Sequence, residues 1–364
     1  MNYFEDLEKI ISINSYTKNK KGVDEVGSIM SKWLEELGFK LITYNRELIG
    51  NHLLFTSEKK SGKKILLLGH NDTVFPPNSF EGFIQDESWV YGPGACDMKG
   101  GNIVILQSLR NIHKINNEIY NIDFLLVSDE ETGSDDSKEI TSTLAPNYDY
   151  CFVFEAAGQN MEIVTQRKGV GTFTITIDGR ASHAGNHYEE GINANLEASY
   201  KLQELVKLTN LELQTTVNVG KINGGIGANT ISPKCELLLE IRYTSSDEKL
   251  RVLNSLNEIT NTSYVNGTIS TLSGLIQRDV MQENQKQLEF INTLENITNV
   301  KILTEKRGGV SDANTVASCG VTTLDGFGPF GDGDHTTKER ALKSSFESRI
   351  ELMTKILNHF QQNL

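Results

Sequence analysis

Two hydrophobic textures alternate along the chain. In Lys63-Lys-Ile65-Leu-Leu-Leu68-Gly-His70 an unbroken apolar run covers 65–68, which predicts a strand buried on both faces of a parallel sheet. Ile122-Asp-Phe-Leu-Leu-Val127 and Tyr150-Cys-Phe-Val-Phe154 repeat that pattern, and Val321-Thr-Thr-Leu324 is a shorter echo of it. Around these runs, apolar positions at helical spacing predict helices over about 3–13, 22–37 and 102–113, and strands are expected near 40–44 and 52–56. From 166 to 275 the texture changes to strand (172–178, alternating), helix (192–208), strands (215–222 and 234–243), helix (246–260) and strand (268–276). This β-α-β-β-α-β order is the ferredoxin-like arrangement. The expected fold is therefore α/β, with a mixed, largely parallel sheet between helices built from 1–165 and 276–364, and an inserted α+β domain over 166–275. A helix near 283–297, a strand near 301–304, a helix after Ser311 and a C-terminal helix from about Lys338 complete the first domain.

Composition narrows the function classes. A chain of 364 residues exceeds one ordinary core, and 38% apolar residues with only 6 Pro mark a folded protein. A net charge of −13 without any Lys/Arg run repels the phosphate backbone of nucleic acids, so no nucleic-acid partner is expected. The start, Met1-Asn-Tyr-Phe-Glu-Asp-Leu-Glu, is acidic rather than signal-like, and no stretch reaches about 18 apolar residues, so a cytoplasmic protein without a membrane segment is expected. Cys96, Cys151, Cys235 and Cys319 form no C-x-x-C pair and are expected as reduced thiols. Gly326-Phe-Gly328-Pro-Phe-Gly331 matches G-x-G-x-x-G but opens no helix, which argues against a dinucleotide site.

The chemistry gathers at strand ends. His70 follows the first apolar run, and Asp72 stands where it can accept the other ring proton and fix the tautomer. The second run ends in Asp129-Glu130-Glu131, the third in Glu155, and a glycine-rich loop after 321–324 leads to His335. Asp97 comes from Gly92-Pro-Gly-Ala-Cys-Asp97 just before a helix, as a cap or as a carboxylate spanning two cations. Parallel strands bring such ends to one rim, and ligands in open α/β sheets bind there. Two imidazoles with several carboxylates suit a pair of divalent cations, zinc first, with cobalt or manganese also fitting. In a Glu-Glu pair one carboxylate can ligate while its neighbour shuttles a proton.

These segments, together with Gly179-Arg-Ala-Ser-His183-Ala-Gly, Asn229-Thr-Ile-Ser-Pro, Arg242-Tyr and Gly308-Gly309-Val-Ser-Asp312-Ala, resemble the M20 family of metallopeptidases, most closely its glutamate carboxypeptidase branch. The resemblance follows the family's order over nearly the whole chain. It implies a zinc-exopeptidase-like fold whose insert serves as lid and dimerisation domain. It implies one metal on His70, Asp97 and Glu155, a second on Asp97, Glu131 and His335, Glu130 as general base, and Asp72 orienting His70. It further implies a cis peptide after Asp97, His183 stabilising the oxyanion, in many members from a partner subunit, and substrate binding by Asn229, Arg242, Gly308 and Gly309. The activity implied is cleavage of a small peptide or N-acyl amino acid at an amide beside a free carboxylate, in a homodimer. A carboxypeptidase that releases C-terminal glutamate, a deacylase of the acetylornithine or succinyl-diaminopimelate type, and a catalytically silent metal-binding homologue remain the alternatives.

Overall fold

The computed structural model describes residues 3–362; Met1 and Asn2, the first residues of the acidic N-terminal stretch, and Asn363 and Leu364 lie outside it. The chain divides into two compact units, one comprising Met1–Gln166, Glu283–Arg307 and Ser311–Leu364, the other Arg167–Gln282 and Gly308–Val310. Each has its own hydrophobic cluster.

The first unit is organised by a six-stranded sheet in the order Lys40–Tyr44, His52–Thr56, Ile122–Val127, Ile65–His70, Tyr150–Val153, Thr322–Leu324. The last four strands run parallel to one another, and His52–Thr56 pairs antiparallel with both Lys40–Tyr44 and Ile122–Val127. Every residue of Ile65–His70 and Ile122–Val127 is buried, as their unbroken apolar runs require when helices cover both faces. The helices Tyr3–Ile11, Lys20–Glu35, Lys99–Asn116, Gln285–Thr298 and Lys343–Gln362 each turn apolar side chains inward, among them Leu7, Met30, Ile105, Leu294 and Met353. Each large apolar side chain so buried contributes about 1.5–3 kcal/mol.

Several boundaries differ from the expectation, for identifiable reasons. The C-terminal helix begins at Lys343, not Lys338, because Arg340–Leu342 is a strand paired with Trp89–Tyr91. The strand expected over 301–304 is Thr304–Arg307. Glu295 draws the preceding residues back onto the helix, with Oε1 accepting from Ile302 N at 2.9 Å and lying 2.9 Å from Lys301 Nζ. The short helix Ser137–Leu144 carried too few periodic positions to be foreseen.

The second unit is an antiparallel sheet ordered Thr216–Gly224, Lys234–Tyr243, Gly169–Asp178, Ile269–Arg278, with helices Ala194–Lys207 and Ser246–Asn261. Alternation along Gly169–Asp178 buries Phe173, Ile175 and Ile177 and leaves Thr172, Thr174 and Thr176 half-buried. The unit runs past the expected edge at 275, since the last strand continues to Arg278 and Met281 exchanges backbone hydrogen bonds with Arg167 at 2.9 and 3.1 Å. Gly308 and Gly309, expected in the first domain, belong to the insert instead: their carbonyls accept from Arg242 Nη1 and Arg167 Nη1, both at 3.2 Å.

A buried ion pair ties one insert helix to the other. Lys201 and Glu197 are both fully buried and 3.0 Å apart; Lys201 Nζ donates to the carbonyls of Ile259, Thr260 and Thr262, and Glu197 Oε2 accepts from Tyr264 N and Val265 N. Lys201→Met leaves Glu197 uncompensated, and unfolding of the insert in chemical denaturant is expected to lose about 3–5 kcal/mol. A denaturation midpoint equal to that of wild type would contradict this.

Candidate metal centre

Strand register brings the first ligands together. His70 stands opposite Val127 and Leu68 opposite Val153, so the carboxyl ends of three adjacent strands finish level and deliver His70, the 128–131 segment and Glu155 to one rim. Glu130 and Glu131 open a short 3-10 turn, Glu130–Thr132. Asp97 arrives from the glycine-rich loop just before the helix Lys99–Asn116, with a cis Asp97–Met98 peptide, as the resemblance implied. His335 stands at the tip of a hairpin in the left-handed region, φ 60°.

Two groups of side chains result. His70 Nε2 lies 3.2 Å from Asp97 Oδ1 and 3.8 Å from Glu155 Oε1, and His335 Nε2 lies 3.2 Å from Asp97 Oδ2 and 3.0 Å from Glu131 Oε2. The donor atoms within each group lie within 4.8 Å of one another, and the groups share Asp97, one oxygen each. Each group could hold a divalent cation, with Asp97 contributing an oxygen to both.

Asp72 controls more than the sequence suggested. His70 Nδ1 is 3.0 Å from the Asp72 carbonyl and 3.3 Å from its carboxylate Oδ1, so both fix the ring with Nε2 turned toward Asp97. The Asp72 carboxylate also accepts from Thr17 Oγ1 (2.7 Å), Glu130 N (3.3 Å) and Glu131 N (3.2 Å), so one buried side chain sets both the imidazole and the Glu-Glu turn.

The electrostatics fit a cationic occupant. Burial, with Asp97 close by, pushes Glu155 well above the usual carboxylate range and Glu131 up to about 8. Burial opposes the charge of Asp97 too, but hydrogen bonds from both imidazoles outweigh it and hold its pKa down. Hydrogen bonds to Asp97 and Glu131 raise His335 to about 11; His70 is raised despite complete burial by Asp72 and Asp97. The rim thus retains protons where cations would replace them. Cys96, beside Asp97, is a buried thiol pushed far up by burial, as expected of an inert side chain.

Sequence reasoning missed three supporting residues. Asn102 Nδ2 donates to the His70 carbonyl at 2.7 Å. Lys99 Nζ, fully buried and lowered to about 7 by burial, donates to the carbonyls of Ile10 and Ile13. Glu339, read as part of a charged helix start, is a buried acceptor for the loop that carries Asp97. Only the H-x-x-x-E spacing from His335 hinted at Glu339.

Comparison with known proteins agrees with this geometry. The family model of the M20 peptidase dimerisation domain matches residues 165–268, and that of peptidase family M28 matches 53–211. Carboxypeptidase G2 of Pseudomonas sp. (strain RS-16) is 29% identical over 261 residues, a match spanning 69% of this chain and 62% of that protein. By these matches the chain is similar to the M20 family of metallopeptidases. Another relative by sequence is the acetylornithine deacetylase of Edwardsiella ictaluri (strain 93-146), 28% identical over 276 residues and 69% of each chain. The fold matches the M20 family metallo-carboxypeptidase Sso-CP2 from Sulfolobus solfataricus, with TM-score 0.74, 14% identity and 99% of both chains covered.

Within the insert, the expected substrate residues fall into two places. His183 and Asn229 meet: Ala184 N donates to Asn229 O at 2.9 Å, and His183 bridges to Thr230. His183 Nδ1 accepts from Gly185 N and Asn186 N, both at 3.2 Å, which leaves the ring proton on the exposed Nε2. Asn229 lies in the loop after Thr216–Gly224, whereas Arg242 is near the far end of the adjacent strand Lys234–Tyr243, eight residues and about 25 Å along it from Lys234. Arg242 is held there by Glu240, with Nε–Oε1 2.8 Å and Nη2–Oε2 3.3 Å. Asn229 and Arg242, both expected to bind substrate, thus stand toward opposite ends of the strand Lys234–Tyr243.

Because Glu131, Glu155, His70 and His335 would all have to give up protons to hold cations, uptake of a divalent ion by metal-free protein at pH 7 is expected to release protons, with affinity rising with pH through about 8 and on toward about 11. Titration calorimetry in two buffers of different ionisation enthalpy checks this; equal apparent enthalpies in both buffers would contradict it.

Proposed function

We propose that the protein is a two-metal hydrolase that cleaves an amide or peptide bond beside a free carboxylate. The observation that carries this reading is the pair of imidazole–carboxylate groups sharing Asp97. His70, Asp97 and Glu155 would hold one ion and Asp97, Glu131 and His335 the other, zinc being the first choice and cobalt or manganese the alternatives. Bound there, the two ions supply a water of lowered pKa and polarise the scissile carbonyl. Glu130 is adjacent in sequence to a ligand but belongs to neither group, and its backbone N–H is anchored on Asp72. It takes the proton of the attacking water and passes it to the leaving nitrogen. His183 donates Nε2–H to the developing oxyanion. Arg242, with a planar guanidinium, and the Gly308–Gly309 segment beside it receive the substrate's free carboxylate.

The distance along the insert between the His183–Asn229 loop and Arg242 favours a homodimer, in which the two ends act on different active centres. The peptidase dimerisation family model matched over the insert supports the same assembly. Sedimentation equilibrium at twice the mass of the 40.5 kDa chain is the expected result, and a monomer at micromolar concentration would remove this part of the proposal.

For the bond cleaved, the relative named Carboxypeptidase G2 favours a C-terminal peptide bond, and the acetylornithine deacetylase relative favours an N-acyl amino acid. A panel of peptides ending in Glu, Asp or an apolar residue, run beside N-acetyl and N-succinyl amino acids, separates the two. Glu130→Ala is expected to lower kcat about 10²–10⁴-fold while two metal equivalents stay bound. Turnover close to wild type in that variant would refute the assigned base.

A further inference from the structure

We propose that Glu339 is a positioning residue that locks Asp97 and His335 into one piece, so that the ion of the Asp97–Glu131–His335 group depends on it. This rests on the two-metal reading and extends it to a residue outside both ligand groups. Glu339 is 1% exposed, and its carboxylate is saturated by one loop: Oε1 accepts from Cys96 N at 3.0 Å and Asp97 N at 3.1 Å, and Oε2 from Gly94 N at 3.0 Å. Its backbone continues the clamp, the carbonyl accepting from Gly92 N at 3.3 Å and the N–H donating to Thr336 O at 3.2 Å. Five hydrogen bonds at a single residue thus fasten the segment 92–97, which delivers Asp97, to the turn that delivers His335.

The hairpin explains why this matters for His335. Gly331–Asp332 pairs with Arg340–Leu342 in the register Gly331↔Ala341 and Asp332↔Arg340, and Arg340–Leu342 pairs on its other side with Trp89–Tyr91. His335 sits at the tip, its side chain 57% exposed and its Nε2 turned to Asp97 and Glu131. The base of the hairpin is pressed against the Asp97 loop: a Cβ on Gly331 would lie 2.3 Å from Cys96 Cβ, so only glycine permits that approach. Glu339 is the polar fastener at this contact. A carboxylate is suited to it because three converging N–H donors need acceptor capacity on both oxygens, which an amide offers on one oxygen only.

Ligand-supporting groups of this kind are worth about 10–100-fold in metal affinity. The test compares wild type with Glu339→Gln and Glu339→Asp, titrating metal-depleted protein with cobalt(II) and following its visible absorption together with calorimetric heats, and records the melting temperature of each metal-free protein. Wild type is expected to bind two ions in two resolvable steps. Both variants are expected to weaken the step that involves His335 10–100-fold, to weaken the other, which shares Asp97, by a clearly smaller factor, and to change the absorption band of the more weakened site. His335→Ala should weaken the same step, and adding Glu339→Gln to it should cost little more. Unchanged affinities in both steps, or equal losses in both that track a fall in the metal-free melting temperature, would overturn the proposal. Uptake of fewer than two ions by wild type would instead refute the two-metal reading on which it rests.

Discussion

Mutual repulsion among Asp97, Glu131 and Glu155 is the constraint around which the first unit is built. Three carboxylates at the end of a fully buried sheet are unfavourable unless protons or cations offset them, and the fold brings two imidazoles to the same rim rather than burying Lys or Arg there. The supporting residues follow from that choice. Asp72 orients an imidazole and anchors the Glu130–Glu131 turn, Asn102 fixes the His70 backbone, and Glu339 fixes the Asp97 loop. The ligand rim is therefore the outer layer of a hydrogen-bonded network whose inner members never reach an ion.

The sequence made the centre legible because its signal is periodic. Apolar runs ending in His, Glu-Glu and Glu identify parallel strands and their ends together, and the observed register sets those ends level. The insert was legible from its alternating strands, and its sheet order is that of a ferredoxin-like unit. What escaped were residues whose role depends on long-range closure. Lys338-Glu339-Arg340 has the composition of a helix start, and nothing local shows that Glu339 is buried against a loop some 240 positions earlier in the chain. Arg242 looked like a carboxylate receptor by its chemistry, but strand length, a tertiary fact, decides which other residues share its place.

The insert adds a second physical lesson. Its open strand face carries an acid two residues from the arginine, and the guanidinium fork is occupied by Glu240 before any substrate arrives. The pair is partly exposed, so its intrinsic strength is small and its partner is easily displaced. At the opposite end, backbone donors turn His183 Nδ1 into an acceptor and set the tautomer without any carboxylate.

The two imidazoles differ sharply in their access to water, the side chain of His70 being 1% exposed and that of His335 57%. Ion exchange is governed by how readily a ligand can swing away and let solvent in. Of the two candidate groups, the one that includes His335 is therefore open to exchange with the surrounding medium, and the one that includes His70 is shut off from it.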